Sequence, residues 1–190
     1  MINNRYNYLD NFISYLRNKE IFKNINITSK NILDFGCGSN FNNIIKKYKS
    51  ANYVFLVDYY NHNFKNDKME YLNYGGNLSS IKKKVSKKKF DYIILSAVVE
   101  HLDCPEVPIN FLKQFLKTQG KFILTAPSIY SKWLLEFIAF KLKIINPKMI
   151  EEHKRYYNFN EFKILAEKTN LRLKKFYFFE LGFNTFAILK

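Results

Sequence analysis

A short apolar run, Asn31-Ile-Leu-Asp-Phe35, breaks at Gly36-Cys37-Gly38 and gives way almost at once to a helix-like segment, residues 41–49. Two glycines at such a break let the backbone turn sharply and approach a ligand closely. A buried strand feeding a helix through a glycine turn is the opening unit of a parallel α/β sheet. Open sheets of that kind bind ligands beyond the carboxyl ends of their strands.

The pattern continues along the chain. Residues 6–22 space their apolar side chains like one face of a helix. Residues 52–58 are apolar on both faces, as a central parallel strand should be. Residues 61–80 are polar and irregular, with a turn at Gly75-Gly76, and residues 82–89 read as a solvated lysine-rich helix face or loop. Phe90–Ser96 is a strand. Pro105 and Pro108 open a helix running through Leu116, Gly120 ends that segment, and Lys121–Ala126 is the next strand. Residues 130–143 and 159–169 are helical, the second capped by Asn158 or Asn160. Leu171–Glu180 and Phe183–Leu189 are strands joined at Leu181-Gly182, too close for a helical crossover and therefore antiparallel. These elements predict an α/β fold: a Rossmann-like, doubly wound, seven-stranded, mostly parallel sheet, helices on both faces, closed by an antiparallel hairpin. A single domain over residues 1–190 is expected, with a helical segment at 1–29 and an insertion at 127–158.

The second strand ends in Asp58, about 20 residues past the glycines, the spacing at which an acid binds ribose hydroxyls. A dinucleotide enzyme shares that arrangement. The third glycine of its fingerprint is missing, however, and Phe41 stands there. A pyrophosphate needs that glycine for close helix–strand approach. Asp34, just before the turn, suits a cationic ligand better than a pyrophosphate.

Ile32-Leu-Asp-Phe-Gly-Cys-Gly38 resembles the glycine motif of class I S-adenosylmethionine (SAM) dependent methyltransferases. The resemblance continues in order through Val57-Asp58, Phe90-Asp-Tyr-Ile-Ile-Leu-Ser-Ala-Val-Val-Glu-His-Leu102, Gly120-Lys-Phe-Ile-Leu-Thr-Ala-Pro127 and the final hairpin, covering roughly residues 30–190. It implies SAM as cofactor and S-adenosylhomocysteine (SAH) as product. It places Asp34, Gly36 and Gly38 at the methionine part and Asp58 at the ribose, with Cys37, a passive small residue of the loop, and Tyr59 also in the cofactor site. Asn77-Leu78 stands where the family commonly has an acid and an apolar residue at the adenine, and Ser96 falls beside the transferable methyl. The segment from Ala126 to Tyr156 is similar to small bacterial methyltransferases of the type 11/12 group, some associated with surface-glycan or lipid-like metabolites. His101, His153 and Tyr156 are the catalytic candidates on the acceptor side, with Arg155 available to an anionic or hydroxylated acceptor.

The expected acceptor is a small molecule or glycan precursor, methylated on oxygen or nitrogen. The formal charge of +15 also raises nucleic acid. That reading is disfavoured, because Lys, Asn, Ile, Phe and Tyr are abundant together and share A/T-rich codons. An RNA methyltransferase, a dinucleotide oxidoreductase and a non-catalytic SAM-binding protein are the competing readings. Glu100, His101, Asp103, Cys104, Glu151 and His153 invite a metal, but no metal-binding spacing links them and none is expected. Two cysteines make no disulfide framework and no apolar run reaches the length of a membrane span, which together imply a reducing, cytoplasmic setting for a monomer or homodimer.

Overall fold

Side chains alternate faces along each central strand, and both faces are apolar. In the computed structural model, which describes residues 4–61, 64–141 and 151–190, this alternation builds two cores. Leu33, Phe35, Phe55, Val57, Ile93 and Leu95 point into one, and Ile32, Val54, Leu56 and Ile94 into the other. Each face must be covered, and helices cover both.

The elements are α1 (Asn4–Asn24), β1 (Asn31–Phe35), α2 (Phe41–Lys47), β2 (Tyr53–Asp58), β3 (Met69–Asn73), α3 (Leu78–Val85), β4 (Phe90–Ser96), α4 (Glu106–Lys113), β5 (Leu116–Pro127), α5 (Lys132–Glu136), α6 (Phe159–Lys168), β6 (Leu173–Phe179) and β7 (Asn184–Leu189). The seven strands run in the order β3-β2-β1-β4-β5-β7-β6. The first five are parallel, while β7 is antiparallel to both β5 and β6. Ile81 and Val85 of α3, Ile109 and Leu112 of α4, and Phe162 and Leu165 of α6 pack on one face. Ile21 of α1 and Ile44 of α2 pack on the other. The doubly wound sheet and its closing hairpin are those expected.

Three local expectations need correction. The irregular stretch 61–80 contains β3, an edge strand. Only Met69 and Tyr71 of it are buried, and Glu70 faces Lys65 and Lys84, each 3.8 Å away, so the apolar signal is too short to stand out. The helix after Pro105 stops at Lys113, and β5 starts at Leu116 rather than after Gly120. Gly120 is an interior strand residue: a Cβ there would lie 2.7 Å from Leu116 Cγ and 2.9 Å from the Phe90 carbonyl, where the β4–β5 register shifts. The expected helix 130–143 is a 3₁₀ turn, the short α5 and a π turn at Phe137–Lys141; residues 142 and 143 lie outside the described region.

The last helix starts as anticipated. Asn158 accepts from the Asn160 and Glu161 amides while Glu161 accepts from the Asn158 amide, a complete capping box. Lys82, Lys83 and Lys84 form the solvated face of α3.

Candidate active site

β1, β2 and β4 end along one edge of the sheet, and the glycine turn sits on it. The amides of Gly36 and Cys37 donate to the Val57 carbonyl at 2.8 and 3.3 Å, and the Gly38 amide donates to Asp58 Oδ2 at 2.7 Å. Asp58 Oδ1 accepts from the Tyr59 amide at 2.7 Å. The two halves of the expected pocket therefore face each other. Gly36 has a φ of +77°, and a Cβ on it would lie 2.3 Å from Val98 Cγ2, so no other residue fits without movement. Space around Gly38 is open: a Cβ there would meet nothing within 4 Å.

Asp34 lies on the α2 side of β1, since side chains alternate. It is 1% exposed, and its Oδ2 accepts from Tyr48 Oη at 2.6 Å and Lys47 Nζ at 3.1 Å. Its Oδ1 is buried and has no hydrogen-bond partner among the described residues. Burial, then the charges of Asp34 and Asp58, hold the Cys37 thiol far above its ordinary range. Cys37 is thus a protonated, passive loop residue. An acidic turn with open space over Gly38 and an unspent carboxylate oxygen suits a cationic sulfonium nucleoside, the ligand the sequence implies.

The loop after β3 closes the side of this edge. Tyr74 donates its amide to the Asp58 carbonyl at 3.2 Å, and its ring lies 4.6 Å from the exposed ring of Tyr59. Tyr59 also lies 3.7 Å from the position of a Cβ on Gly76. Asn77 caps α3, its Oδ1 accepting from the Ser79 amide at 3.0 Å. That cap engages the oxygen expected to meet adenine, although one lone pair remains. Leu78 is half-buried against the core. Ser96, at the end of β4, lies 3.1 Å from Thr125 Oγ1.

β4 links this pocket to a second cluster. Ala97 turns the chain with a φ of +55°, Val98 seats against Gly36, and the turn Val99–His101 follows. The segment returning to the sheet after 127 is fastened at its neck by Tyr157 N–H to Pro127 O (2.9 Å) and Ile129 N–H to Tyr157 O (3.2 Å). Tyr157 Oη then reaches the Val99 carbonyl at 3.1 Å and Lys154 N–H the Glu100 carbonyl at 2.8 Å, which brings the His153 segment over the turn. The rings of His101 and His153 are 4.9 Å apart, and those of His153 and Tyr156 5.6 Å. His101, His153 and Tyr156, distant in sequence, are neighbours. Arg155 is exposed and shares a groove with Glu106, Tyr156 and Glu161.

Burial dominates the electrostatics here. It pushes the Glu100 carboxyl up to about 7, against its own amide and the Arg17 charge. It lowers His153 to about 4, helped by His101 and Arg17. It also lowers His101, opposed by a hydrogen bond to the Glu152 backbone. Tyr156 is raised to about 12 by burial and by Glu136 and Glu100. Both imidazoles are neutral near pH 7. Glu100 Oε2, His153 Nδ1 and Tyr156 Oη are buried without hydrogen-bond partners among the described residues. The contacts that the sequence does not advertise are Val98 on Gly36 and the Lys47–Tyr48 clamp on Asp34. They join residues through space, with no spacing rule to reveal them.

Among the described residues, no helix is long and apolar enough to cross a membrane. A family model for a methyltransferase domain matches residues 2–175. No curated protein matches the sequence significantly. Solved structures similar in fold include a SAM-dependent methyltransferase from Archaeoglobus fulgidus (TM-score 0.61, 18% identity, 93% of each chain covered). Another is a TehB-like SAM-dependent methyltransferase from Corynebacterium glutamicum (TM-score 0.57, 14% identity, 98% of this chain and 97% of that one). CalO1, a methyltransferase in calicheamicin biosynthesis solved with SAH bound, is a third (TM-score 0.60, 11% identity, 87% of this chain). The chain spans 49% of CalO1 and 55% of LaPhzM, another fold relative. A match over nearly the whole sequence, joined to an acidic glycine turn at the carboxyl edge of a seven-stranded sheet, means that this chain belongs to the class I SAM-dependent methyltransferases.

Proposed function

We propose that the chain moves a methyl group from SAM to an oxygen or nitrogen of a small polar metabolite or glycan precursor. The observation that carries this reading is the Gly38–Asp58 hydrogen bond beside the partnerless Asp34 oxygen. In this reading Asp34, Gly36, Cys37 and Gly38 face the methionine part, Asp58 and Tyr59 the ribose, and Asn77 and Leu78 the adenine. Ser96 lies nearest the methyl group.

When bound, the sulfonium supplies an already activated methyl, so the protein's task is alignment of the acceptor in line with it. His101, His153 and Tyr156 form the acceptor side. His153 is neutral and its Nδ1 is unengaged, so it can take a proton from a hydroxyl or amine as the acceptor attacks. The short path from Gly36 through Val98 to His101 supports a shared reaction site.

Titration calorimetry with SAH and NADH, followed by transfer of radiolabelled methyl to panels of hydroxylated and amino metabolites, nucleotide sugars and RNA, tests the reading. SAH binding with label in a small metabolite is the expected result. Label only in RNA, or SAH binding with a sealed acceptor side, would reassign the acceptor or the catalytic role. Binding of NADH in place of SAH would overturn the whole reading.

A further inference from the structure

The acceptor-side cluster holds more unspent buried polarity than a proton acceptor requires. Glu100 is 1% exposed, yet among the described residues its Oε2 has no hydrogen-bond partner, and neither has the buried His153 Nδ1. Leaving a buried carboxylate oxygen unpaired is costly, and natural proteins rarely do so without a reason. One ligand atom each from Glu100, His101 and His153 lies within 4.8 Å of the other two.

We propose that Glu100, His101 and His153 bind one first-row divalent transition-metal ion on the acceptor side of the site. Two imidazoles and one carboxylate leave coordination positions open, the arrangement used by catalytic metal sites. Nitrogen and oxygen donors sit about 2.0–2.2 Å from zinc in such sites. The three side chains need to close by roughly an ångström, a small rotamer adjustment around a metal of that bond length.

The neighbours set the selectivity. Arg17 contributes positive charge to Glu100, His101 and His153 alike. A cation held by charge alone, such as Mg²⁺ or Ca²⁺, finds one carboxylate and an opposing guanidinium. A metal with affinity for imidazole gains from both rings and tolerates that opposition. No metal-binding spacing links the three ligands because they come from two segments: the turn after β4 and the return loop pinned by Tyr157.

Such an ion gives the site a chemical preference, and here the inference rests on the methyl-transfer reading. With His153 committed to the ion it no longer serves as the base, and a hydroxyl bound to the ion loses its proton to solvent more readily. Its oxygen then forms the bond to the methyl carbon as the carbon–sulfur bond breaks, and the sulfonium leaves as a neutral thioether. The acceptor class is therefore a hydroxylated molecule able to coordinate a metal, such as a catechol or α-hydroxy acid.

The test uses the full chain, stripped with chelator and titrated with CoCl₂ and ZnCl₂ by calorimetry and visible absorption, with SAH binding measured in parallel. One equivalent of Co²⁺ with ligand-field bands of nitrogen and oxygen coordination is expected. His153→Gln and, separately, His101→Asn should weaken it by at least about 10- to 100-fold, judged by the effect of lesser changes around metals, with SAH binding unchanged. Co²⁺ bound no more tightly than by the His101→Asn/His153→Gln chain, or held through sulfur, would overturn the site while leaving the methyltransferase reading intact. Loss of SAH binding by the unaltered chain, with metal binding retained, would sink that reading and leave the metal site standing.

Discussion

The backbone amide of Gly38 donates to Oδ2 of Asp58 at 2.7 Å, so the acid ending β2 holds the turn that follows β1. One carboxylate thus shapes the loop, and in the proposed reading it also meets the ribose. Asp58→Ala should weaken SAH by about 10- to 100-fold, the scale of a lost hydrogen bond to a charged group. Calorimetry checks this. An unchanged affinity would mean that the ribose contact lies elsewhere.

Gly36 and Val98 test the join between the two halves of the site. Gly36→Ala adds a methyl 2.3 Å from Val98 Cγ2 at a φ of +77°. Destabilisation of about 2–4 kcal/mol is expected from overpacking and left-handed strain together. Adding Val98→Ala should restore the steric part alone. Urea unfolding of the two single variants and the double variant separates the contributions.

Tyr48 gives Asp34 its shortest hydrogen bond, inside a fully buried site. Tyr48→Phe removes that donor and leaves Lys47, among the described residues, as the only side chain bonded to Oδ2. A loss of about 1–3 kcal/mol follows from an unsatisfied buried carboxylate. SAH binding should fall too, because the carboxylate is freed to rotate. A drop in stability with intact SAH affinity would assign Asp34 a purely structural role.

Acid should loosen the end of the sheet opposite the site. Burial pushes Asp91 up, but a hydrogen bond from Lys117, the Asn31 amide and the charges of Lys117 and Lys30 outweigh it and hold its carboxyl below the usual value. A lowered folded-state value means stability that is fully present above the unfolded carboxylate's pKa, about 3.9. That stability is lost as pH falls through the lower folded value. Below about pH 4, the difference in stability between the unaltered chain and Asp91→Asn should therefore shrink toward zero. Urea titrations across that range measure it.

The parallel sheet was legible because β1, β2 and β4 are apolar on both faces, which few other settings tolerate. Asp34, the glycines and Asp58 were legible because they follow one another at fixed spacing along the chain. β3 was hidden, being a short edge strand with the charged Glu70 between its two buried residues. Gly120 misled for a physical reason: glycine marks a helix end as often as a tight crossing between strands, and only the Phe90 carbonyl distinguishes the two. Asn77, expected at the adenine, is also a helix cap, a role the sequence reading did not foresee, and one amide oxygen with two lone pairs can serve both purposes. The neighbourhood of Glu100, His101 and His153 is set by Tyr157, a core tyrosine whose hydroxyl reaches across the fold to Val99.

β7, wholly buried, lies between β5 and β6 rather than at the margin. During synthesis on the ribosome, β5 emerges with one ladder of amides and carbonyls open until β7 arrives to fill it. The edge that carries the glycine turn is thus framed early, while the sheet that supports it stays unzipped on one side until one of the last strands to be made slides in. A nascent chain stalled before Asn184 would display a sticky, unmatched strand, which makes this interval the one in which the protein has most need of protection from its own copies.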